Sequence, residues 1–244
     1  SADGKGEVVN LTNSGYFDSN PRWVLDGNAI LFSSERYGMR NHASWGSLQD
    51  VMIVFMNQDA YDKFRLNKED YELLKEEEKR IASLKNKEQK EDQKDKKGET
   101  KSAVKEKKNI EVELKGIEDR VMRLTPNSSQ LGDAILSKSG DKLYYMASFE
   151  GGMDLWVSDL RSRSTKVMHK LNSGWASLEM DKDGKDLFLL GGRSMQKISL
   201  GSERRNPITY SAEMKLDQAA ERAYMFDRVR RQEAKRFYEK NMHG

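Results

Sequence analysis

Three four-residue apolar runs recur along the chain, each directly after a polar turn centred on glycine. Asp26-Gly27 precedes Ala29-Ile30-Leu31-Phe32, Gly140-Asp141 precedes Leu143-Tyr144-Tyr145-Met146, and Asp183-Gly184 precedes Leu187-Phe188-Leu189-Leu190. Short apolar runs bounded by turn residues predict buried strands. Asp26-Gly27 predicts a type I′ hairpin, because both central residues of that turn need φ > 0 and glycine accepts it freely. A further strand follows each run: Val51–Met56, Leu155–Leu160 and Met195–Leu200. Gly140 and Gly184 lie 44 residues apart, inside the period of roughly 40–45 residues of a four-stranded propeller blade. Gly27 and Gly140 lie 113 apart, so an insertion of about 69 residues interrupts the first unit. The pattern predicts a mainly β chain: a partial β-propeller of about three four-stranded, WD-repeat-like blades, over 16–56, 130–169 and 174–210. Pro21 fixes φ ahead of Trp23 and Val24, and Trp23 is read as buried in the first strand. Glu7–Thr12 reads as a strand completing a preceding blade, and unrelated hairpins of an antiparallel sandwich are the plainer alternative.

The period changes at Gln58. Asn67-Lys68-Glu69-Asp70 is a helix start with acids in the first turn, and Tyr71, Leu74, Ile81 and Leu84 follow near one helical face. Lys85–Lys108 carries ten bases and six acids with almost nothing apolar. Such a segment cannot bury enough surface to offset its ordering entropy, so a solvated excursion is expected, and trypsin should cut there first. The acids dilute the bases too far for a nucleic-acid arm. Ile110-Glu111-Val112-Glu113-Leu114 alternates strictly and reads as an edge strand returning the 58–109 insertion to the first blade. Asp217 is a good helix N-cap, and Ala219, Ala220, Ala223, Phe226, Val229 and Phe237 follow at helical spacing as an apolar stripe. That stripe reads as docking on its own parent protein rather than on calmodulin or a membrane surface.

Composition narrows the chemistry. The 244 residues include no cysteine, which removes disulfides and thiol catalysis. A net charge of +3 with 34% charged residues describes a mixed surface rather than a nucleic-acid-binding one. No apolar run is long enough to span a membrane. Of the three histidines, His42, His169 and His243, none sits in a Gly-x-Ser-x-Gly or His-Glu-x-x-His pattern, and no phosphate-binding Gly-rich loop occurs. Catalytic, cofactor-binding and metal-binding residues are all read as none. His42 and Trp45 read either as a pocket rim or, more simply, as blade-edge packing and a loop hydrogen bond. Trp156 and Trp175 read as blade-packing aromatics.

DSNPRWVLDGNAILFSSERYG, from Asp18, resembles the blades of Tol-type and tricorn-type propellers. MRNHASWGSLQDVMIVFMNQDAYDKFRLNKEDYELLKEE, IEVELKGIEDRVMRL and AERAYMFDRVRRQEAKRFYEKNMHG resemble, in that order, bacterial tricorn-like serine peptidases, the last being similar to the helix joining propeller to catalytic region. The resemblance implies a division into 1–210, a propeller portion, and 211–244, a linker helix leading to a catalytic domain not included here. It implies a non-catalytic propeller that gates or routes peptides or unfolded polypeptide to a distant active site, no cofactor, and the parent's other domains as partners. The family's catalytic serine and histidine lie beyond the NMHG segment, so this chain should be inert while its parent hydrolyses peptides. A standalone Tol-type interaction module is the alternative, and the C-terminal helix is what it would not need. The compartment stays open between periplasm, which the resemblance favours, and cytoplasm. Three blades leave two blade faces without neighbours, so self-association is expected.

Overall fold

The computed structural model describes residues 6–40, 42, 46–92, 110–149, 151–191 and 194–239, with backbone only at 82 and 85–92. It divides into two compact units, Ser1–Ile208 and Thr209–Gly244. The first unit holds three antiparallel four-stranded sheets. Blade 1 comprises β1 (Asp18–Val24), β2 (Ala29–Ser34), β3 (Asp50–Phe55) and β4 (Val121–Arg123). Blade 2 comprises β5 (Gln130–Leu136), β6 (Lys142–Ser148), β7 (Met153–Asp159) and β8 (Ser164–Ser173). Blade 3 comprises β9 (Ala176–Met180), β10 (Asp186–Gly191), β11 (Ser194–Ser199) and β12 (Arg204–Ile208). Each sheet keeps its strands in sequence order, the arrangement of an open, partial β-propeller.

The core lies between sheets, because each strand alternates its side chains between two faces and both are needed. Leu31, Ile53 and Phe55 of blade 1 pack on Leu143, Tyr145 and Ala147 of blade 2. Tyr144, Met146, Leu155 and Val157, from the opposite face of blade 2, pack on Ala176, Leu178, Leu187, Leu189 and Ile198 of blade 3. The hairpin turns follow the sequence. Asp26 (φ 54°) and Gly27 (φ 89°) form the type I′ turn, closed by Asn28 N–H donating to Leu25 C=O at 3.0 Å. A Cβ at Gly27 would also collide with the Ile110 side chain. Blades 2 and 3 use five-residue turns instead, over 137–141 and 181–185. The side-chain oxygen of Ser137 accepts from Asp141 and Lys142 N–H, as that of Asp181 does from Lys185 and Asp186. Those amide bonds hold the Asp181 carboxyl below its ordinary range, the one from Asp186 N–H contributing most.

The insertion lies between the third and fourth strands of blade 1 and begins with α1 (Gln58–Arg65) and α2 (Lys68–Asp92). Asn57 caps α1, its Oδ1 accepting from Ala60 N–H at 2.9 Å, and Asn67 Oδ1 accepts from Asp70 N–H at 2.8 Å in the first turn of α2. Tyr61 and Phe64 set their rings against Phe55. Tyr71 is buried, but Ile81 and Leu84 are exposed, so the helical face expected to bury all of them does so only near its start. The expected solvated segment falls largely on 93–109, outside the described residues.

Two strands expected from sequence are absent as strands. Residues 7–12 are irregular; Leu11 packs against blade 1, but no neighbouring strand offers a ladder. Residues 110–114 are also irregular, with Glu113 N–H donating to Met56 C=O. Blade 1 is completed instead by β4, paired to Met52–Val54. The buried Arg120 anchors this return, donating to the carbonyls of Phe55, Lys115, Gly116 and Glu113. Asp50, fully buried, then accepts from Arg123, Thr125 and Ser128, latching β4 and the link to blade 2 onto β3.

In the second unit α3 (Gln218–Arg236) starts at Asp217, whose Oδ1 accepts from Ala219 and Ala220 N–H at 3.0 Å. Asp227 pairs with Arg231 at 2.7 Å. Phe226 and Val229, on the expected apolar stripe, are exposed.

Candidate functional site

The first strands of the three blades, β1, β5 and β9, come together through one guanidinium. Arg22 on β1 donates to Asp133 Oδ2 on β5 at 2.9 Å and to Leu178 C=O on β9 at 3.1 Å, and lies 3.5 Å from Glu179. Asp133 also accepts from Leu178 N–H at 2.8 Å through Oδ2, and from Ala134 N–H at 2.8 Å through Oδ1. Leu178 therefore has both backbone groups satisfied by side chains of the other blades, where an edge strand would otherwise offer them to a new strand. One-residue bulges between Ser19 and Arg22 in β1 and between Leu131 and Ala134 in β5 lie at these positions. A bulge re-aims the side chains beside it, which puts Arg22 and Asp133 within reach of β9.

Arg22 and Glu179 of this cluster also line a cleft of about 820 Å³. Its walls are the ends of the three first strands and their turns: Trp23 and Asp26, Ile135 and Lys138, Glu179 to Lys182. Trp23 is 60% exposed, which corrects the expectation that it is a core residue. The first strand of a blade turns one row of side chains away from the neighbouring sheet, and Trp23 lies in that row. Apolar Trp23, Ile135 and Met180 thus sit among Asp26, Glu179, Asp181, Lys138 and Lys182, a surface of mixed apolar and charged character.

A second cleft of about 630 Å³ lies where the insertion meets the turn of blade 2. Arg161 organises it. The guanidinium donates to Phe64 and Leu66 C=O and to Asp141, and stacks 3.8 Å over the Tyr71 ring. Lys75 pairs with the other oxygen of Asp141, and Tyr71 O–H donates to Ser139 C=O. The root of the insertion is thereby fixed to blade 2.

The residues singled out from sequence do not converge. His42 is exposed in a loop, His169 lies on β8, and Trp45 and His243 fall outside the described residues. Trp156 is partly buried, with Nε1–H donating to Ala147 C=O, but Trp175 is 64% exposed, a correction to its packing role. Among the described residues no group of three potential ligands could hold a metal ion, and no helix is long and apolar enough to cross a membrane. Arg22, Asp133 and Arg161 went unread. Their signal was a charge inside or beside an apolar strand, in PRWV, GDAIL and SDLR.

No family model and no curated protein matches the chain. Among solved structures, the tricorn protease is similar over 95% of this chain and 21% of its own, with TM-score 0.55 and 10% identity. TolB from Acinetobacter baumannii is similar over 83% of this chain and 34% of its own, with TM-score 0.45 and 12% identity. The β-propeller domain of the Trilobed protease from Pyrococcus furiosus is similar over 83% and 47%, with TM-score 0.37 and 14% identity. The chain thus spans from about a fifth to about half the length of these structures. At such identities the likeness concerns the fold, and together with the three blade-shaped sheets it makes the chain a partial β-propeller.

Proposed function

We propose that this chain is the non-catalytic propeller portion of a peptidase of the tricorn-like kind, and that its inner cleft holds extended polypeptide on the way to an active site elsewhere in the parent. The division into a propeller portion over 1–210 and a linker helix over 211–244 belongs to this reading. The observation that supports it best is the exposed Trp23 in a cleft walled by the first strands of all three blades. An indole held at the mouth of a mixed apolar and charged groove offers a large contact area at little cost in side-chain entropy. The test is titration of the chain with a reduced, carboxymethylated polypeptide, followed by calorimetry. Binding at micromolar concentration that weakens at least tenfold in Trp23→Ala is expected. No binding, or binding indifferent to Trp23→Ala, overturns the reading.

A further inference from the structure

The cleft of about 630 Å³ between the insertion and the turns of blades 1 and 2 changes sign along α1. Arg161 stands at the end of the helix, with a side chain only 8% exposed. Its Nε and Nη1 are spent on Asp141 and on the carbonyls of Phe64 and Leu66. Nη2 makes no hydrogen bond among the described residues, yet it is not one of the unpaired atoms sealed from solvent. A buried guanidinium nitrogen with its N–H groups unspent calls for an acceptor. Lys138, in the turn before β6, lines the same cleft and has no ion pair among the described residues. The acids lie at the start of the helix. Asp59 is in its first turn. Glu111 is held beside that turn, its C=O accepting from Nδ2 of Asn57, the cap of α1. Neither carboxylate has a hydrogen bond or ion pair among the described residues. Leu25, Ala60 and Phe64 supply apolar lining.

We propose that this cleft binds a zwitterionic peptide of two residues. Its carboxylate meets Arg161 Nη2 and Lys138, its ammonium meets Asp59 and Glu111, and its apolar side chains rest on Leu25 and Phe64. A guanidinium N–H and a carboxylate form a charge-assisted bond, which is stronger than a neutral one. A ligand with only negative charge would face the acids, and one with only positive charge would face Arg161. The spacing sets the length. Asp59 and Phe64 are five residues apart on α1, about 7.5 Å along its axis. Two extended residues span about 7 Å, whereas the ammonium and carboxylate of a single amino acid share one carbon and fall short. The site stands apart from the inner cleft and uses no contact with Trp23.

The test is calorimetric titration of the 244-residue chain with leucyl-leucine, N-acetyl-leucyl-leucine and leucyl-leucine amide. Leucyl-leucine should bind, and either blocked form should bind at least tenfold more weakly. Lys138→Ala should weaken leucyl-leucine several-fold and leave the amide unchanged. Asp59→Asn with Glu111→Gln should weaken leucyl-leucine and leave the acetylated form unchanged. A variant that misfolds loses all three ligands alike, and the blocked forms on the unaltered chain then decide. Trp23→Ala should change nothing. No binding of leucyl-leucine at millimolar concentration overturns the proposal, as does equal affinity for the blocked forms. Binding lost in Trp23→Ala assigns the peptide to the inner cleft and overturns it too.

Discussion

Replacing Asp133 by alanine tests whether the three first strands are held by the clamp or merely lie side by side. Two kinds of partner are lost. Leu178 N–H, in a residue with no exposed surface, loses its acceptor. A buried donor left unmade costs roughly 1–3 kcal/mol. Arg22 loses its carboxylate but has a side chain 30% exposed, so water takes over much of the interaction, and that loss is about 1 kcal/mol. Ala134 N–H sits in the β5 bulge and loses a third contact. Together these predict a loss of about 3 kcal/mol in denaturant unfolding followed by fluorescence. Asp133→Asn keeps an oxygen for Leu178 N–H and should recover roughly half of that. Arg22→Ala should cost about 1 kcal/mol alone and less than that on top of Asp133→Ala, where the bond between the two is already gone and the one to Leu178 C=O is still to be lost. A loss below about 1 kcal/mol for Asp133→Ala, or full additivity with Arg22→Ala, would show that inter-blade apolar packing alone sets the arrangement.

Trp23→Ala should cost less than about 1 kcal/mol in the same assay, because the side chain is mostly exposed; a loss of 3 kcal/mol or more would mean it is a core residue after all. Arg161→Ala removes three hydrogen bonds and the stack on Tyr71, and should expose α1 and α2 to trypsin at many-fold lower protease concentration; an unchanged digestion pattern would refute the anchoring role. Burial pushes the Tyr145 phenol up to about 12. Its contribution to stability is therefore complete below the ordinary 10 and is lost as the pH climbs toward 12, so ultraviolet titration should find at least one tyrosine ionising only with unfolding, and reversible ionisation of every tyrosine near 10 would contradict this.

The blades were legible because local signals agreed with the global period. Gly27, Gly140 and Gly184 all adopt positive φ at the first hairpin of their blades, as an apolar run directly after a glycine turn implies. Alternation misled at 110–114, where Ile110, Val112 and Leu114 all stay exposed and the segment is held by separate contacts such as Ile110 against Gly27 and Glu113 N–H to Met56 C=O, not by a ladder. The real fourth strand, Val121–Arg123, is too short to show a period. Trp23 was misread because an aromatic between Pro21 and a turn gives no sign of which face of the strand it takes, and the bulge before Arg22 disturbs the alternation that would have told. The inner-strand clamp is a contact across 111 and 156 residues of sequence, beyond the reach of any local pattern.

The placement of the insertion has a kinetic consequence. In blades 2 and 3 the last strand follows the third after a short turn, whereas in blade 1 residues 56–120 intervene between Phe55 and Val121. Closing so long a loop costs about 2–3 kcal/mol more in chain entropy than closing a tight turn. Blades 2 and 3 can therefore zip from local contacts while β4 is still searching for its edge. The Asp50 latch and the Arg120 anchor engage only when that search ends, so they should hold down the unfolding rate of blade 1 rather than hasten its formation.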